Sequence, residues 1–517
     1  MMFCLKFVWP CATPTKKLPF IKNWGMASYQ LIYFCQAMNK KSLAIASILA
    51  LLLFGNPRNV AAQDNWTYQR ALDYALSHNL TVQQSVLQKR LAELTLKQNQ
   101  MARLPTLNGG ASGEYRFGRN ISFESNTYVN TANFSSGVSL NTGVDLFGWF
   151  QKQNTVAASK YQVYASNFLL ERARNDMGVN VANAFLQILL ANEQVKISKS
   201  QVDLSMAQLE NTKKLVAAGS VPESNQADLE AQLARDSSTL VAAQNTSIVN
   251  VLQMKALLNL DFAVPFVVEL PENIERIPVL NLWETAPEMV YSAALATYPQ
   301  YRADSMYVKA ANKSLASARG AMYPNLSLSA GINTSYANTI KEGFGPITTG
   351  TQTIGYLKND PTSLVETASF SQDRRTVPFG DQLSNNFGQN VGLTLGIPIF
   401  NGWRARGNVE RAKIDVQDRQ LTLDINRQKL RQDVYTAHAN AVGAFQKYQA
   451  AITTERASQK AYDFATKRFN VGLMNTVEYI TTQTNLFKAQ IDKVSALYDY
   501  IFKIKLLEFY RDQRITL

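Results

Sequence analysis

Few side chains in this sequence are equipped for covalent, redox or metal chemistry. Its 517 residues include two histidines, His78 and His438, and three cysteines, Cys4, Cys11 and Cys35. A zinc site needs three or four clustered His, Cys or carboxylate ligands, and a Cys-His nucleophile needs a thiol beside its base in the folded chain. All three cysteines fall in a segment expected to be removed, so neither assembly can form. No glycine-rich phosphate loop precedes a helix and no Gly-x-Ser-x-Gly elbow occurs. His78 reads as a helix-end residue and His438 as a polar-face position in a long helix. These observations predict a chain that is not an enzyme, with no cofactor, no catalytic residue and no metal site.

The removable segment spans 1–62. Lys40-Lys41, an apolar run from Leu43 to Phe54, and Val60-Ala61-Ala62 before Gln63 have the order of a secretory signal. The apolar run is too short to span a bilayer. Met38-Asn39-Lys40-Lys41 reads as the natural start, which makes the preceding residues an over-extension. The segment carries seven of the 52 basic residues, leaving 45 against 39 acidic ones, a net of +6. That excess is small and dispersed and gives no argument for a nucleic-acid partner. A mature chain without cysteine suits an oxidising compartment and excludes a disulfide scaffold.

Four stretches alternate with a period of two, and so read as strands with one apolar and one polar side. They are 106–117, 134–147, 325–336 and 386–400. In the first, Leu107, Ala111, Tyr115 and Phe117 oppose Thr106, Asn108, Ser112 and Glu114. In the last, Val391, Leu393, Leu395 and Ile397 oppose Asn390, Gly392, Thr394 and Gly396. A soluble sandwich would show the same alternation, but very long helical stretches separate these strands and leave one small sheet with two open edges. In a bilayer an open edge is costly, and single-chain barrels begin at about eight strands. Four strands per chain therefore call for an oligomer, with two chains as the minimum and three giving a wider bore. The connection from Gly118 to Asn133 is short. The one from Ala337 to Asn385, rich in Gly, Thr, Asn and Ser, reads as an exposed surface loop.

The helical pattern after Trp149 runs to about Ala218 without a proline, and roughly 70 residues at 1.5 Å each extend about 100 Å. Val181, Ile188, Val195, Val202, Leu209 and Val216 recur every seven residues, with Ala184, Ala191, Ser198, Ser205 and Thr212 between them. The last helix has a three-four spacing through Val477, Ile480, Thr484, Phe487, Ile491, Val494, Tyr498 and Ile501. Both are coiled-coil seams. Gly219 and Gly472 break the two long patterns, and Pro105 and Pro324 sit at the helix-to-strand changes. The chain is thus a duplication. Repeat 1 covers 63–259 and turns near 219; a linker covers 260–284; repeat 2 covers 285–511 and turns near 472; 512–517 is a short tail. Thr285 and Pro287 suit the cap and first turn of the helix that opens repeat 2.

On these residues the chain resembles the TolC-like outer-membrane efflux proteins, from about Trp66 to Arg511. The resemblance rests on the paired Leu104-Pro105-Thr106-Leu107 and Tyr323-Pro324-Asn325-Leu326 junctions, on Pro398-Ile399-Phe400-Asn401-Gly402-Trp403-Arg404 leading into a long helix, and on Phe469-Asn470-Val471-Gly472-Leu473. It implies a mainly α fold with a membrane β-barrel. Helical hairpins would form an α-barrel tunnel, and a homotrimer would close a twelve-stranded barrel in the outer membrane with a periplasmic extension. It implies that the hairpin tips, Ala218-Gly219-Ser220 and Val471-Gly472-Leu473, meet a periplasmic adaptor protein that couples the duct to an inner-membrane pump. It also implies an aperture lined by acids. Glu478 occupies the family's place six residues past the tip glycine, whereas repeat 1 has Asn225 there and Asp228 one turn on. The function so implied is a passive exit duct of a tripartite efflux or type I secretion system. The alternative is a trimeric surface adhesin or stalk with a barrel anchor.

Overall fold

The computed structural model describes residues 65–121, 126–269 and 286–515. The signal-like segment, Thr285 and most of the linker lie outside these residues.

Two copies of one motif account for the described chain. In the first, α1 (Tyr68–His78, 11 residues) and α2 (Leu80–Met101, 22 residues) lead into β2 (Thr106–Ile121) and β3 (Tyr128–Phe147). Then come α3 (Gln151–Ala217, 67 residues) and α4 (Glu223–Leu258, 36 residues). In the second copy α5 (Pro287–Thr297) and α6 (Pro299–Gly320) again have 11 and 22 residues, and α8 (Arg404–Asn470) again has 67. The strands β5 (Asn325–Ala337) and β8 (Gly388–Gly396) stand between them, and α9 (Thr476–Asp512, 37 residues) closes the copy. Helix starts are offset by 219 before the strands (68 to 287) and by 253 after them (151 to 404), so the strand region of the second copy is longer by 34 residues.

Those extra residues are not a loop. They form a hairpin of β6 (Lys341–Leu357) and β7 (Asp360–Thr376), followed by α7 (Phe379–Asn385). Thr348, Thr349, Thr351 and Thr353 supply β-branched residues suited to a strand, and a composition that is merely polar and Gly-rich hides that propensity. Gln382, only 2% exposed, bonds to Val377 and to both backbone groups of Ala337, tying the hairpin base to β5. The expected strand limits also shift. β2 and β3 continue as a ladder through most of the expected 118–133 connection, and β8 ends at Gly396, before Pro398. Helix α5 is capped at Ala286 with Pro287 at its first turn.

Both copies break their first helix after 11 residues, by different chemistry. Asn79 ends α1 and accepts hydrogen bonds at Oδ1 from Thr81 and Val82 as the cap of α2. In the second copy Tyr298 is the break and Pro299 the first residue of α6, where its missing N–H costs nothing.

The strands form one antiparallel sheet in the order β2-β3-β5-β8, with β2 and β8 as open edges; β6-β7 is a separate pair, and β1 (Asn65–Trp66) pairs in parallel with β4 (Val267–Val268). One chain therefore closes no barrel. The core sits in the helical part, where Ile188, Leu189, Met254, Leu258 and Ile501 are fully buried, beside a second cluster of Val290, Leu430, Val434, Ile504 and Leu507. The seam of α3 is buried as the heptads require at Val181, Ala184, Ile188, Ala191, Ser198, Val202, Ser205, Leu209 and Thr212. The seam of α9 keeps Ile480, Tyr498 and Ile501 buried as expected, but departs from the expected stripe elsewhere. Tyr479, Gln483, Leu486 and Ala489 are buried, while Val477 and Thr484 are exposed. Helix α9 packs on α8, α3 and α5 and touches α4, so its buried stripe is set by several neighbours rather than one.

Candidate functional site: the hairpin tips and the two-faced sheet

The two tips are the same turn. Helix α3 ends with Gly219 N–H donating to the Val216 carbonyl and Ser220 N–H to the Leu215 carbonyl, each at 2.9 Å. Helix α8 ends with Gly472 donating to Phe469 at 3.0 Å and Leu473 to Arg468 at 2.9 Å. Both are Schellman closures, with the glycines at φ +70° and +75°, a conformation that a Cβ disfavours. The following helices start at equivalent places but are capped differently. Asn475 Oδ1 accepts from Glu478 N–H at 2.8 Å, whereas Pro222 caps α4 without a side-chain bond. Val471 and Leu473 are 69% and 70% exposed, an apolar surface at the second tip that Ala218 and Ser220 do not match at the first.

The two acids named for the aperture stand in different surroundings. Glu478 pairs with Arg468 Nη1 at 3.7 Å, both side chains half-exposed, so its charge is countered within the tip. Asp228 lines a groove of about 560 Å³ between α4 and α9, with Val477, Ile480 and Thr481 on the far side. Among the described residues no three His, Cys, Asp or Glu gather as a metal-binding group. His78 closes α1 and stacks on Tyr74, and His438 is half-buried within α8.

Sequence reasoning passed over the polar contacts within and between the hairpins. Tyr479 is 3% exposed; its hydroxyl accepts from Gln208 Nε2 at 2.7 Å, lies 3.0 Å from that of Tyr462, and its ring stacks on Phe469 at 4.4 Å. Burial, and next the Tyr462 bond, raise this phenol above the ordinary tyrosine range, so the network stays neutral. Deeper in the first hairpin the buried Asp236 carboxylate accepts from Ser205 Oγ (2.6 Å), Gln201 Nε2 (3.2 Å) and Gln232 Nε2 (2.9 Å). The i,i+4 spacing of Gln201 with Ser205, and of Gln232 with Asp236, was the available signal.

The sheet is two-faced. Its apolar face is bare in the single chain, with Val391 at 78% and Phe117 at 75% exposure. Rings cross it in two bands. At one end Tyr115 lies 4.7 Å from Phe134, Phe134 6.1 Å from Tyr336, and Tyr336 5.1 Å from Phe379. At the other, Trp149 lies 4.8 Å from Tyr323 and 5.6 Å from Phe147. Phe134 and Phe147, like Tyr323 and Tyr336, are thirteen residues apart in number. That is about 43 Å along a strand, or about 33 Å across a membrane at a typical barrel tilt, close to a bilayer's hydrocarbon thickness. Aromatic belts at both interfaces are what such a span requires. The opposite face carries Asn, Ser, Thr and Gly between charged ends at Glu114, Arg116 and Asp145.

A sheet with a bare apolar face, a polar reverse and open edges, joined to two 67-residue helices, is the framework of a channel subunit with a helical extension. The chain belongs to the outer membrane efflux protein family, which it matches over residues 71–260 and 290–502. It is 23% identical over 360 residues to the outer membrane efflux protein BepC of Brucella suis biovar 1 (strain 1330), covering 69% of this chain and 67% of that protein. Its fold is similar to that of CusC (TM-score 0.69, 17% identity, 86% of this chain and 91% of that one). It is also similar to the CmeC outer membrane channel of Campylobacter jejuni (TM-score 0.65, 18% identity, 86% of each chain). The open-state MtrE outer membrane channel of Neisseria gonorrhoeae is likewise similar (TM-score 0.63, 19% identity, 86% and 88%). The protein is an outer-membrane efflux channel, and the exit-duct reading stands over the adhesin.

Proposed function

We propose that three copies of this chain close a twelve-stranded barrel in the outer membrane and a helical tunnel beneath it, through which substrates delivered by an inner-membrane pump leave passively. The observation that carries this reading is the pair of open edges, β2 and β8, on a sheet whose apolar face is bare and banded by aromatic rings. Inside a bilayer each unpaired backbone group costs several kcal/mol, so the edges must pair with other copies. Two copies would leave eight strands, whose interior side chains nearly fill, while three leave a conducting bore.

At the far end the tips supply the adaptor surface, with the apolar Val471-Gly472-Leu473 as the stronger half and Ala218-Gly219-Ser220 as the weaker. Glu478 and Asp228 face the aperture near those tips. The energy for transport comes from the pump, and the duct adds no chemistry of its own. The test is reconstitution of the detergent-purified protein in planar bilayers beside native mass measurement. A trimer with discrete conductance, and cells sensitised to dyes and detergents by its loss, are expected; a monomer or dimer, or a trimer with no conductance even when the tips are loosened, overturns the reading.

A further inference from the structure

We propose that Gly331 sets the bore of the barrel and with it the size of solute that can leave. The proposal rests on the barrel reading above, with the polar sheet face inside.

Asn141, Gly331 and Asn390 are register partners on adjacent strands, and Asn108 continues the row on β2. Both neighbouring carboxamides fold over the glycine. A β-carbon at Gly331 would sit 2.7 Å from Asn141 Oδ1 and 2.8 Å from Asn390 Oδ1, closer than carbon and oxygen can approach without displacement. Gly331 is buried. The arrangement recurs. Asn333 Oδ1 would stand 3.1 Å from a β-carbon at Gly388, and Asn325 Oδ1 2.5 Å from one at Gly396. Glycine in a strand interior weakens it, and its recurrence beside asparagine marks a place where something lies close against the backbone.

The consequence is a wall whose polar side chains lie along it instead of standing into the lumen. Between Glu114 and Asp145 this face also carries no ionisable side chain. A pore lined in this way offers hydrogen bonds but no charge barrier, and so discriminates by size. It suits bulky solutes, whether charged or neutral. At Gly331 a side chain would both occupy the lumen and lift two carboxamides into it, and a threefold axis would repeat this at one height.

The experiment reads passage through the barrel independently of the tips. All three native cysteines precede residue 63, so Ser327→Cys, on the polar face inward of Gly331, serves as a single reporter once they are replaced by serine. Intact cells are treated from outside with membrane-impermeant maleimides of graded size. In the otherwise native protein both small and large reagents should label Cys at this position. Adding Gly331→Gln should abolish labelling by the large reagent and spare the small one. Exchanging the pattern, Gly331→Asn with Asn141→Gly and Asn390→Gly, should restore the large reagent, since one carboxamide can again lie over a glycine on either side. Unchanged entry of the large reagent in the Gly331→Gln protein overturns the proposal. If that variant does not assemble, Asn141→Ala with Asn390→Ala decides: flat carboxamides predict an unchanged size limit, and a raised limit overturns the idea. Absence of labelling by even the small reagent overturns the barrel reading itself, and this inference with it.

Discussion

Gln208 on α3 donates its Nε2–H to the hydroxyl of Tyr479 on α9 at 2.7 Å, linking the two helical hairpins close to their tips. Tyr462 shares that hydroxyl at 3.0 Å. If the hairpins separate when the aperture opens, the Gln208 contact must yield, whereas the Tyr462 contact lies within the second hairpin and moves with it. Tyr479→Phe removes them and keeps the stack on Phe469. At about 1 kcal/mol net for the one hydrogen bond that crosses between hairpins, opening should become roughly fivefold more favourable. Single-channel recordings should show a raised open probability; an unchanged one would exclude this contact from the gate.

The second tip turns on a left-handed glycine with exposed apolar neighbours. Gly472→Val adds a β-branched side chain at φ +75°, which costs on the order of 1–2 kcal/mol locally and reshapes the tip. Trimers should still assemble, because the helical core lies far along the chain, while export should be lost. Native electrophoresis and a dye-efflux assay measure the two separately, and normal efflux by assembled Gly472→Val trimers would count against adaptor contact there.

Glu478 pairs with Arg468 at 3.7 Å. The pair is exposed, so its effect on stability should be slight, roughly 0–1 kcal/mol. Its effect on ions should be larger. Glu478→Gln should lower cation selectivity, and Arg468→Ala should raise it by freeing the carboxylate. Reversal potentials across a salt gradient give the answer, and identical potentials in both variants would remove Glu478 from the ion path.

Asp236 holds three neutral donors and no cation inside the first hairpin. Asp236→Leu strands the donors of Ser205, Gln201 and Gln232, at a cost of about 1–3 kcal/mol for each one left buried and unpaired. Asp236→Asn, isosteric and still accepting at one oxygen, should lose less. Thermal unfolding in detergent should rank native above Asn above Leu.

Alkali should loosen the helical part. Burial pushes the phenols of Tyr68 and Tyr510 up to about 12, and raises those of Tyr298, Tyr307, Tyr479 and Tyr498 as well. An unfolded tyrosine ionises near pH 10. Below that pH both states hold the proton and stability is complete. Above it the unfolded chain gains charge that the folded chain resists, so stability falls as pH rises through the folded values. The melting temperature should be flat across neutral pH and drop from about pH 10 upward; a flat profile beyond it would mean that these rings are solvated.

Periodicity alone determined much of this protein. Alternation at Leu107 to Phe117 and at Val391 to Ile397 named strands with a wet and a dry side, heptads from Val181 to Val216 named a seam, and two glycines named the turns, because each depends on neighbours a few residues away. The hairpin β6–β7 escaped notice because threonines in a polar segment read equally as loop until a partner strand pairs with them. The part of the α9 stripe at Tyr479, Gln483 and Leu486 escaped because several helices compete for its faces, and a single helical pattern cannot say which neighbour takes which side. Tertiary structure alone brought Gln208 to Tyr479 and Ser205 to Asp236, and laid Asn141 and Asn390 over Gly331. Such contacts depend on register between strands and rotation between helices, and a shift of one residue in either would send the same side chains elsewhere.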